Sequence, residues 1–308
     1  MDALVALRSA ARSALEKFSA GDVLLVAVSG GADSLALAES AKIEADKLAL
    51  TLIGVTIDHQ LQKGSELQAD KLVKQLSFPC HIVKVNVEIT DGLEASARRA
   101  RYAAFEKIAK ELNAVAVLLG HTKDDQAETV LLGLSRGSGA RSLSGMASST
   151  GIYLRPFLNI TREETVQACK ELNLQPWQDP HNDDESFLRV RVRKNVLPIM
   201  ERELGPGIGE ALTRSAQLLR DDADALDALA ESYWHESNSL DIAALSELPK
   251  AVRTRVLRLA LFERGAIQLS ADQIGQVEAL ISNWKGQGAV SLPAGVKVSR
   301  ISGRLTLS

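Results

Sequence analysis

The sequence is poor in cysteine. Its 308 residues contain two, Cys80 and Cys169, far apart and without a C-x-x-C pair. Neither a disulfide framework nor a zinc or iron–sulfur site is supported, and both read as buried thiols. No apolar run approaches the ~18 residues that a membrane span requires. The longest, over residues 48–57, includes Thr51 and Gly54 and has the length of a strand. At the start, Asp2, Arg8 and Arg12 stand among Leu4, Leu7, Leu15 and Phe18 at helical spacing, which is no secretory signal. Internal repeats and low-complexity segments are also missing. With 45% hydrophobic and 24% charged residues, the expectation is a soluble, globular, cytoplasmic protein, and the length favours two domains.

There is no excess of one charge sign either: the net charge is −3, which taken alone points away from nucleic acid. The distribution says more. Residues 187–220 carry seven basic and three acidic side chains, residues 221–247 eight acids and no Lys or Arg, and residues 250–264 five basic and one acidic. A local cationic RNA surface is expected from the first and third segments, with the acidic helix between them turned away.

Residues 23–28 form a β-branched and leucine-rich run, followed by a tight loop and a helical stretch over 35–50. The cycle repeats with strands at 51–57, 81–87 and 114–119 and helices at 65–76 and 93–112. Strands apolar on both faces and separated by helices predict an α/β fold, a parallel sheet covered by helices on both faces. Ligands of such sheets bind beyond the carboxyl ends of the strands. Those ends carry the loop from Ser29 to Ser34, Asp58 with His59, and His121 with Asp124 and Asp125. After Gly205, Pro206, Gly207 and Gly209 the character changes, so a catalytic domain over 1–205 and a smaller, mainly helical domain over 206–308 are expected. In the latter, apolar residues from Leu212 to Tyr233 follow helical spacing, Ser270 and Gln273 form a capping-box pattern, and the tail over 289–308 alternates as short antiparallel strands.

The sharpest motif is Ser29-Gly30-Gly31-Ala32-Asp33-Ser34, between a hydrophobic strand and a helix. Two glycines admit an anion to the backbone, hydroxyls can donate to it, and the helix start supplies N–H groups and a positive dipole. The Gly-Lys-Ser/Thr ending and the G-x-G-x-x-G fingerprint are both absent. A carboxylate beside phosphates is repulsive unless a divalent cation lies between them, so Asp33 implies Mg²⁺. His121 closes a strand, and Asp125 and Glu128 share a face of the next helix, where paired carboxylates can hold Mg²⁺ or accept a proton. Arg136-Gly137-Ser138-Gly139 with Arg141 is a flexible basic loop suited to phosphate. Arg189, Arg191 and Arg193 line up on one face if their segment is a strand; in a helix only Arg189 and Arg193 align.

The loop motif resembles the pyrophosphate-binding loop of the N-type ATP pyrophosphatases, which have an adenine-nucleotide α-hydrolase-like fold. Three further segments narrow this: Leu93 to Tyr102, with Glu94, Arg98 and Arg101 on one face; Gly120 to Thr129, running into Gly139; and Trp177 to Asp184. Together they resemble the tRNA(Ile)-lysidine synthetases over about residues 22–200. The resemblance implies adenylation by ATP of C2–O of the wobble cytidine in the CAU anticodon of tRNA(Ile), followed by displacement of AMP by free L-lysine. It implies an ATP site at Ser29, Gly30, Gly31, Ala32, Asp33 and Ser34, and Mg²⁺ on Asp33 and Glu128. Catalytic roles fall to Asp33, Arg98, His121, Asp125 and Glu128, and tRNA contacts to Arg136, Arg141, Arg189, Arg191 and Arg193. Val190, Gln60 and Gln62 depart from the family pattern. A thiolase-like or other amidating relative, a non-catalytic nucleotide-sensing RNA-binding protein, and the choice between monomer and homodimer stay open.

Overall fold

The computed structural model describes residues 2–60, 64–86, 92–137, 139–179, 183–267 and 269–308, with Leu93 and Glu94 as backbone alone. Gln62, Val87, Ser138, residues 180–182 and the Glu94 side chain thus lie outside the described residues. The elements run α1 (Ala3–Leu15), β1 (Val23–Ala27), α2 (Ala32–Lys47), β2 (Thr51–Asp58), α3 (Ser65–Val73), β3 (Cys80–Lys84), α4 (Leu93–Glu111), β4 (Ala116–Leu118) and α5 (Lys123–Leu134). They continue with α6 (Ala140–Leu143), β5 (Ser149–Thr150), β6 (Tyr153–Leu154), α7 (Arg162–Glu171), α8 (Leu188–Arg191), α9 (Leu197–Glu203) and α10 (Ile208–Ser237). The chain closes with α11 (Ile242–Glu247), α12 (Lys250–Glu263), α13 (Ala271–Ser282), β7 (Val290–Ser291), β8 (Lys297–Ile301) and β9 (Arg304–Leu307). No described helix is long and apolar enough to cross a membrane. Two compact units result: Met1–Arg136 with Gly145–Ser215, and Gly137–Ser144 with Ala216–Ser308.

In the first unit six strands form one sheet in the order β3-β2-β1-β4-β6-β5, parallel throughout except for the β5–β6 pair. Burial on both faces explains why the strands read as unbroken apolar runs. Leu24, Val26, Leu52 and Leu118 pack with Leu7 and Leu15 of α1, Leu35 and Ala38 of α2, and Ala168 of α7. The alternate residues Leu25, Val55 and Val117 pack with Phe105 and Ala109 of α4. From β1 the chain winds through β2 to β3, then crosses by α4 to β4 on the other side of β1. The order reverses between β1 and β4, and the crevice at their carboxyl ends is where such a sheet binds ligands. The paired residues β5 and β6 are too short to leave a period in the sequence.

The 187–196 segment settles as helix rather than strand. Leu188–Arg191 is α-helical and Val192–Val196 forms a π-helical turn before α9, so Arg189 and Arg193 share a face and Arg191 does not.

The second unit packs α10 to α13 against the antiparallel sheet β7-β8-β9 around Trp234, Leu245, Val256, Leu257, Val277, Leu280 and Val298. The capping box at α13 is present: Ser270 Oγ accepts from Gln273 N at 3.1 Å and Gln273 Oε1 from Ser270 N at 2.8 Å. Some charges of this unit pair with one another. On α10, Asp224 accepts from Arg141 at 2.6 Å, and Asp227 pairs with both Arg141 and Arg255. Arg253 is buried against Glu278 (Nε–Oε1 3.0 Å), with Nη1 3.0 Å from the Leu248 carbonyl beyond α11. Arg258 donates to the carbonyl of Leu269. Of the five basic residues in 250–264, Arg253 is buried and Arg255 is paired, whereas Lys250, Arg258 and Arg264 are exposed.

Burial pushes the Glu278 carboxyl upward, but hydrogen bonds from Arg253 and Ser282 outweigh it and hold the group below its ordinary 4.5. Its contribution to stability is thus present above that value and lost as pH falls through the lowered one. Glu278→Ala strands a buried guanidinium and is expected to cost about 3–5 kcal/mol in urea unfolding at neutral pH, with a smaller deficit in acid. A neutral-pH loss well under 1 kcal/mol would show that the pair carries no weight.

Candidate active site

Strand β1 ends against the Ser29–Ser34 loop, which turns straight into α2. Gly30 takes φ +90°, a backbone region that L side chains rarely adopt, and its carbonyl accepts from Trp177 N at 2.9 Å. The Ser34 hydroxyl is buried and organises the turn: it accepts from Ser29 N and Ser29 Oγ, both at 3.1 Å, and donates to the Gly31 carbonyl at 3.0 Å. Ser29 remains exposed. In the first turn of α2, the N–H groups of Ala32, Asp33 and Ser34 have no acceptor within the helix, which leaves donors and a positive dipole end for an anion. Gly120, after β4, lies directly against this turn. A Cβ there would stand 3.1 Å from Asp33 C, Asp33 O and Ser34 Cα.

Asp33 is held on both oxygens by the first turn of α7. Thr165 Oγ1 donates to Oδ1 at 2.5 Å, and Arg162 Nε lies 3.3 Å from Oδ2. Burial raises the Asp33 carboxyl, Arg162 and Thr165 oppose the rise, and Asp125 adds to it. Arg162 also stands 3.6 Å from Asp125 Oδ1, and its backbone N–H donates to Asp124 Oδ2 at 2.8 Å. Asp125 has a second task, since its Oδ2 accepts from Thr122 N at 2.9 Å and closes the capping box of α5. Burial pushes its carboxyl up, but Arg162, the Thr122 N–H and His121 together take it below the ordinary value. Neither Arg162 nor Thr165 stood out in the sequence. The signal available was the Thr161-x-x-Glu164 capping box that starts α7 with Arg162 as its first residue; Thr161 Oγ1 accepts from Glu164 N at 3.2 Å.

Glu128, fully buried on α5, accepts from Arg193 on both oxygens (2.7 and 3.3 Å), and Arg189 Nε lies 3.4 Å away. Arg189 also donates to Thr129 Oγ1 at 2.7 Å. In this structure Glu128 anchors two arginines. Burial still raises its carboxyl against the pull of Arg193. His121 is half-buried, and its Nδ1 has no partner among the described residues. Burial takes its pKa down to about 4; Asp125 resists, and Arg155, Arg101 and Arg189 assist.

The other expected residues are less concentrated. Arg98 is exposed and packs on the Tyr102 ring, 4.9 Å from its centroid, whereas Arg101, one turn on, lines the cleft. Arg136 is exposed and donates to the Leu132 carbonyl, and Arg141 pairs within the second unit. Arg191 donates to the carbonyls of Glu185 and Ser186. Gln60 takes φ +55°, its N–H donating to buried Asp58 at 2.9 Å. Burial raises both cysteine thiols to about 11, which keeps them un-ionised at neutral pH.

Around these groups lies a cleft of about 1500 Å³, lined among others by Ser29 to Ser34, Asp58, His59, His121, Asp125 and Trp177. Among the described residues, no three His, Cys, Asp or Glu side chains converge to hold a metal ion. Asp33 offers a partly accessible carboxylate directly on the phosphate loop. Mg²⁺ commonly binds through one or two carboxylates, phosphate oxygens and water, so these residues fit an ion held jointly with a nucleotide.

Residues 6–200 match the family described as the PP-loop domain, and residues 240–306 the TilS substrate binding domain. The chain is 49% identical to the tRNA(Ile)-lysidine synthase of Thermobifida fusca (strain YX), covering 98% of this chain and 96% of that one. It is also 49% identical to the tRNA(Ile)-lysidine synthase of Streptomyces coelicolor (strain ATCC BAA-471 / A3(2) / M145), covering 92% and 85%. Among solved structures, the U34-tRNA thiolase NcsA from Methanococcus maripaludis with its [4Fe-4S] cluster superposes with a TM-score of 0.57 at 17% identity, over 70% of this chain and 78% of that one. At that identity the likeness is one of fold.

The His121 environment yields a direct expectation. Its imidazole stays neutral through physiological pH and protonates near pH 4. An NMR titration of the ring nitrogens that gave a midpoint near the ordinary 6.5 would contradict this site electrostatics.

Proposed function

The chain belongs to the tRNA(Ile)-lysidine synthase family, and from that premise we propose how its cleft performs the family's reaction. It is an ATP-using ligase that modifies tRNA. The finer reading is that ATP adenylates the C2 oxygen of the wobble cytidine in a CAU anticodon and that free L-lysine then displaces AMP, leaving lysidine and pyrophosphate. The observation that carries it is the meeting of the phosphate loop and the β4–α5 turn in one cleft. Anion donors and a His–carboxylate group thereby face the same space.

In this reading, Ser29, Gly30, Gly31 and the first-turn N–H groups of Ala32, Asp33 and Ser34 cradle the leaving pyrophosphate. Ser34 acts mainly through the shape of the loop, because its hydroxyl is already spent on Ser29 and Gly31. Asp33 would hold Mg²⁺, which supplies charge neutralisation at the phosphates when bound. Arg101, which lines the cleft, joins Arg98 as a candidate to stabilise the developing negative charge. His121 presents an uncharged ring nitrogen, Asp125 fixes the start of α5 beneath it, and Glu128 positions Arg189 and Arg193 for the RNA or the nucleotide. Charge-assisted contacts from Arg136 and Arg191 would follow the tRNA backbone and weaken as salt rises. The lysine amine would be received among the carboxylates of the cleft.

Purified protein with ATP, radiolabelled lysine and a CAU-anticodon tRNA should incorporate lysine. Asp33→Asn should lower ATP–pyrophosphate exchange by about 100-fold or more while leaving the melting temperature near that of the wild type. No lysine incorporation into a competent tRNA would overturn the substrate reading, and full exchange activity in Asp33→Asn would overturn the role of Asp33.

A further inference from the structure

The first turn of α7 touches three carboxylates, and it does so with two different kinds of bond. The backbone of Arg162 is fixed: its N–H donates to Asp124 Oδ2 at 2.8 Å, and the Thr161–Glu164 capping box holds the turn around it. The guanidinium makes longer contacts. It lies 3.3 Å from Asp33 Oδ2 and 3.6 Å from Asp125 Oδ1, beyond the ~2.7–2.9 Å of a closed guanidinium–carboxylate contact. Arg193 in the same cleft reaches 2.7 Å on Glu128, so the site is able to close such a contact where it forms one. Arg162 instead bridges two carboxylates with long contacts, a single hydrogen bond to Asp33 and none to Asp125, with its side chain 30% exposed to the cleft.

Two ionised carboxylates converging at one sheet edge repel each other unless a cation stands between them. In this arrangement the guanidinium is that cation. A divalent ion on Asp33 would do the same work with twice the charge and would leave the arginine without its first partner, beside a loop built for phosphate. We propose that Arg162 is a positioning residue that serves as a displaceable counter-cation. It keeps Asp33 and Asp125 together until Mg²⁺ and nucleotide arrive, yields Asp33 to the metal, and turns its guanidinium to the phosphates. This rests on the reading of the cleft as an Mg²⁺–ATP site. Thr165, which holds the other Asp33 oxygen at 2.5 Å, keeps the carboxylate in place during the exchange.

The consequence is a metal response that a merely structural arginine would not create. Without the guanidinium, the two acids are left uncompensated, and free Mg²⁺ can relieve them even with no nucleotide present. The test is thermal unfolding of the full chain, without nucleotide, at mildly alkaline pH. MgCl₂ is titrated in against KCl at constant ionic strength. Arg162→Met is expected to melt several degrees below the wild type without Mg²⁺ and to regain at least half of that loss with it. The wild type and Arg162→Lys should shift little. Arg162→Gln, which keeps hydrogen bonding but not charge, carries the same expectation as Arg162→Met and serves if the latter does not fold. In the Asp33→Asn/Arg162→Met double variant the response should vanish, because the repelling pair is gone. An equal Mg²⁺ response in wild type and Arg162→Met, or an undiminished response in the double variant, would overturn the proposal. Calorimetry of Mg²⁺ with a non-hydrolysable ATP analogue on the wild type separates the two levels. Absence of binding removes the nucleotide reading, whereas binding together with equal Mg²⁺ responses removes the counter-cation alone.

Discussion

Gly120 stands so close to the start of α2 that a Cβ would lie 3.1 Å from backbone atoms of Asp33 and Ser34. The rest of the site depends on this contact between the β1–α2 loop and the β4–α5 turn. It exists because the strand order reverses between β1 and β4, so the two loops leave the sheet side by side. One brings the phosphate cradle; the other brings His121 and, a turn into α5, Asp125 and Glu128. A side chain at position 120 would wedge the two apart. The apolar core on both faces of β1 makes that juxtaposition rigid, with Leu24 and Val26 on one side and Leu25 on the other.

Charge in the cleft is arranged as alternating carboxylates and guanidiniums drawn from distant parts of the chain. Asp33, Arg162 and Asp125 form one series; Glu128, Arg193 and Arg189 form the other. In both series the buried acids face cationic partners, which offsets the cost of burying them. The same rule governs the second unit, where Arg253 and Glu278 pair in the interior and Asp227 takes Arg141 and Arg255. Neutral His121 sits beside the first series, its buried Nδ1 without a hydrogen bond among the described residues.

The parallel sheet was legible from residues 23–119 because strands buried on both faces and helices between them impose distinct periods on the sequence. The phosphate loop was legible because its chemistry is local, six consecutive residues between a strand and a helix. What the sequence could not convey was long-range pairing. Asp33 meets Arg162 and Glu128 meets Arg193 across 129 and 65 positions, and no spacing rule reaches that far. Arg189 and Arg193 remained ambiguous between strand and helix until the π-helical turn at Val192–Val196 put both on one face. Counts of charge along 221–264 describe the surface only in part for a related reason, since Arg253 is buried and Arg255 is bound to Asp227 while Lys250, Arg258 and Arg264 are exposed. Only α7 offered a local clue, its Thr-Arg-Glu-Glu start.

The convergence of the two loops is tested most directly by Gly120→Ala, with calorimetric binding of a non-hydrolysable ATP analogue as the readout and circular dichroism as the check on folding. The added methyl must displace the Asp33–Ser34 backbone by a few tenths of an ångström. The account predicts a folded protein whose nucleotide affinity falls by about tenfold or more. Wild-type affinity in a folded Gly120→Ala protein would contradict it.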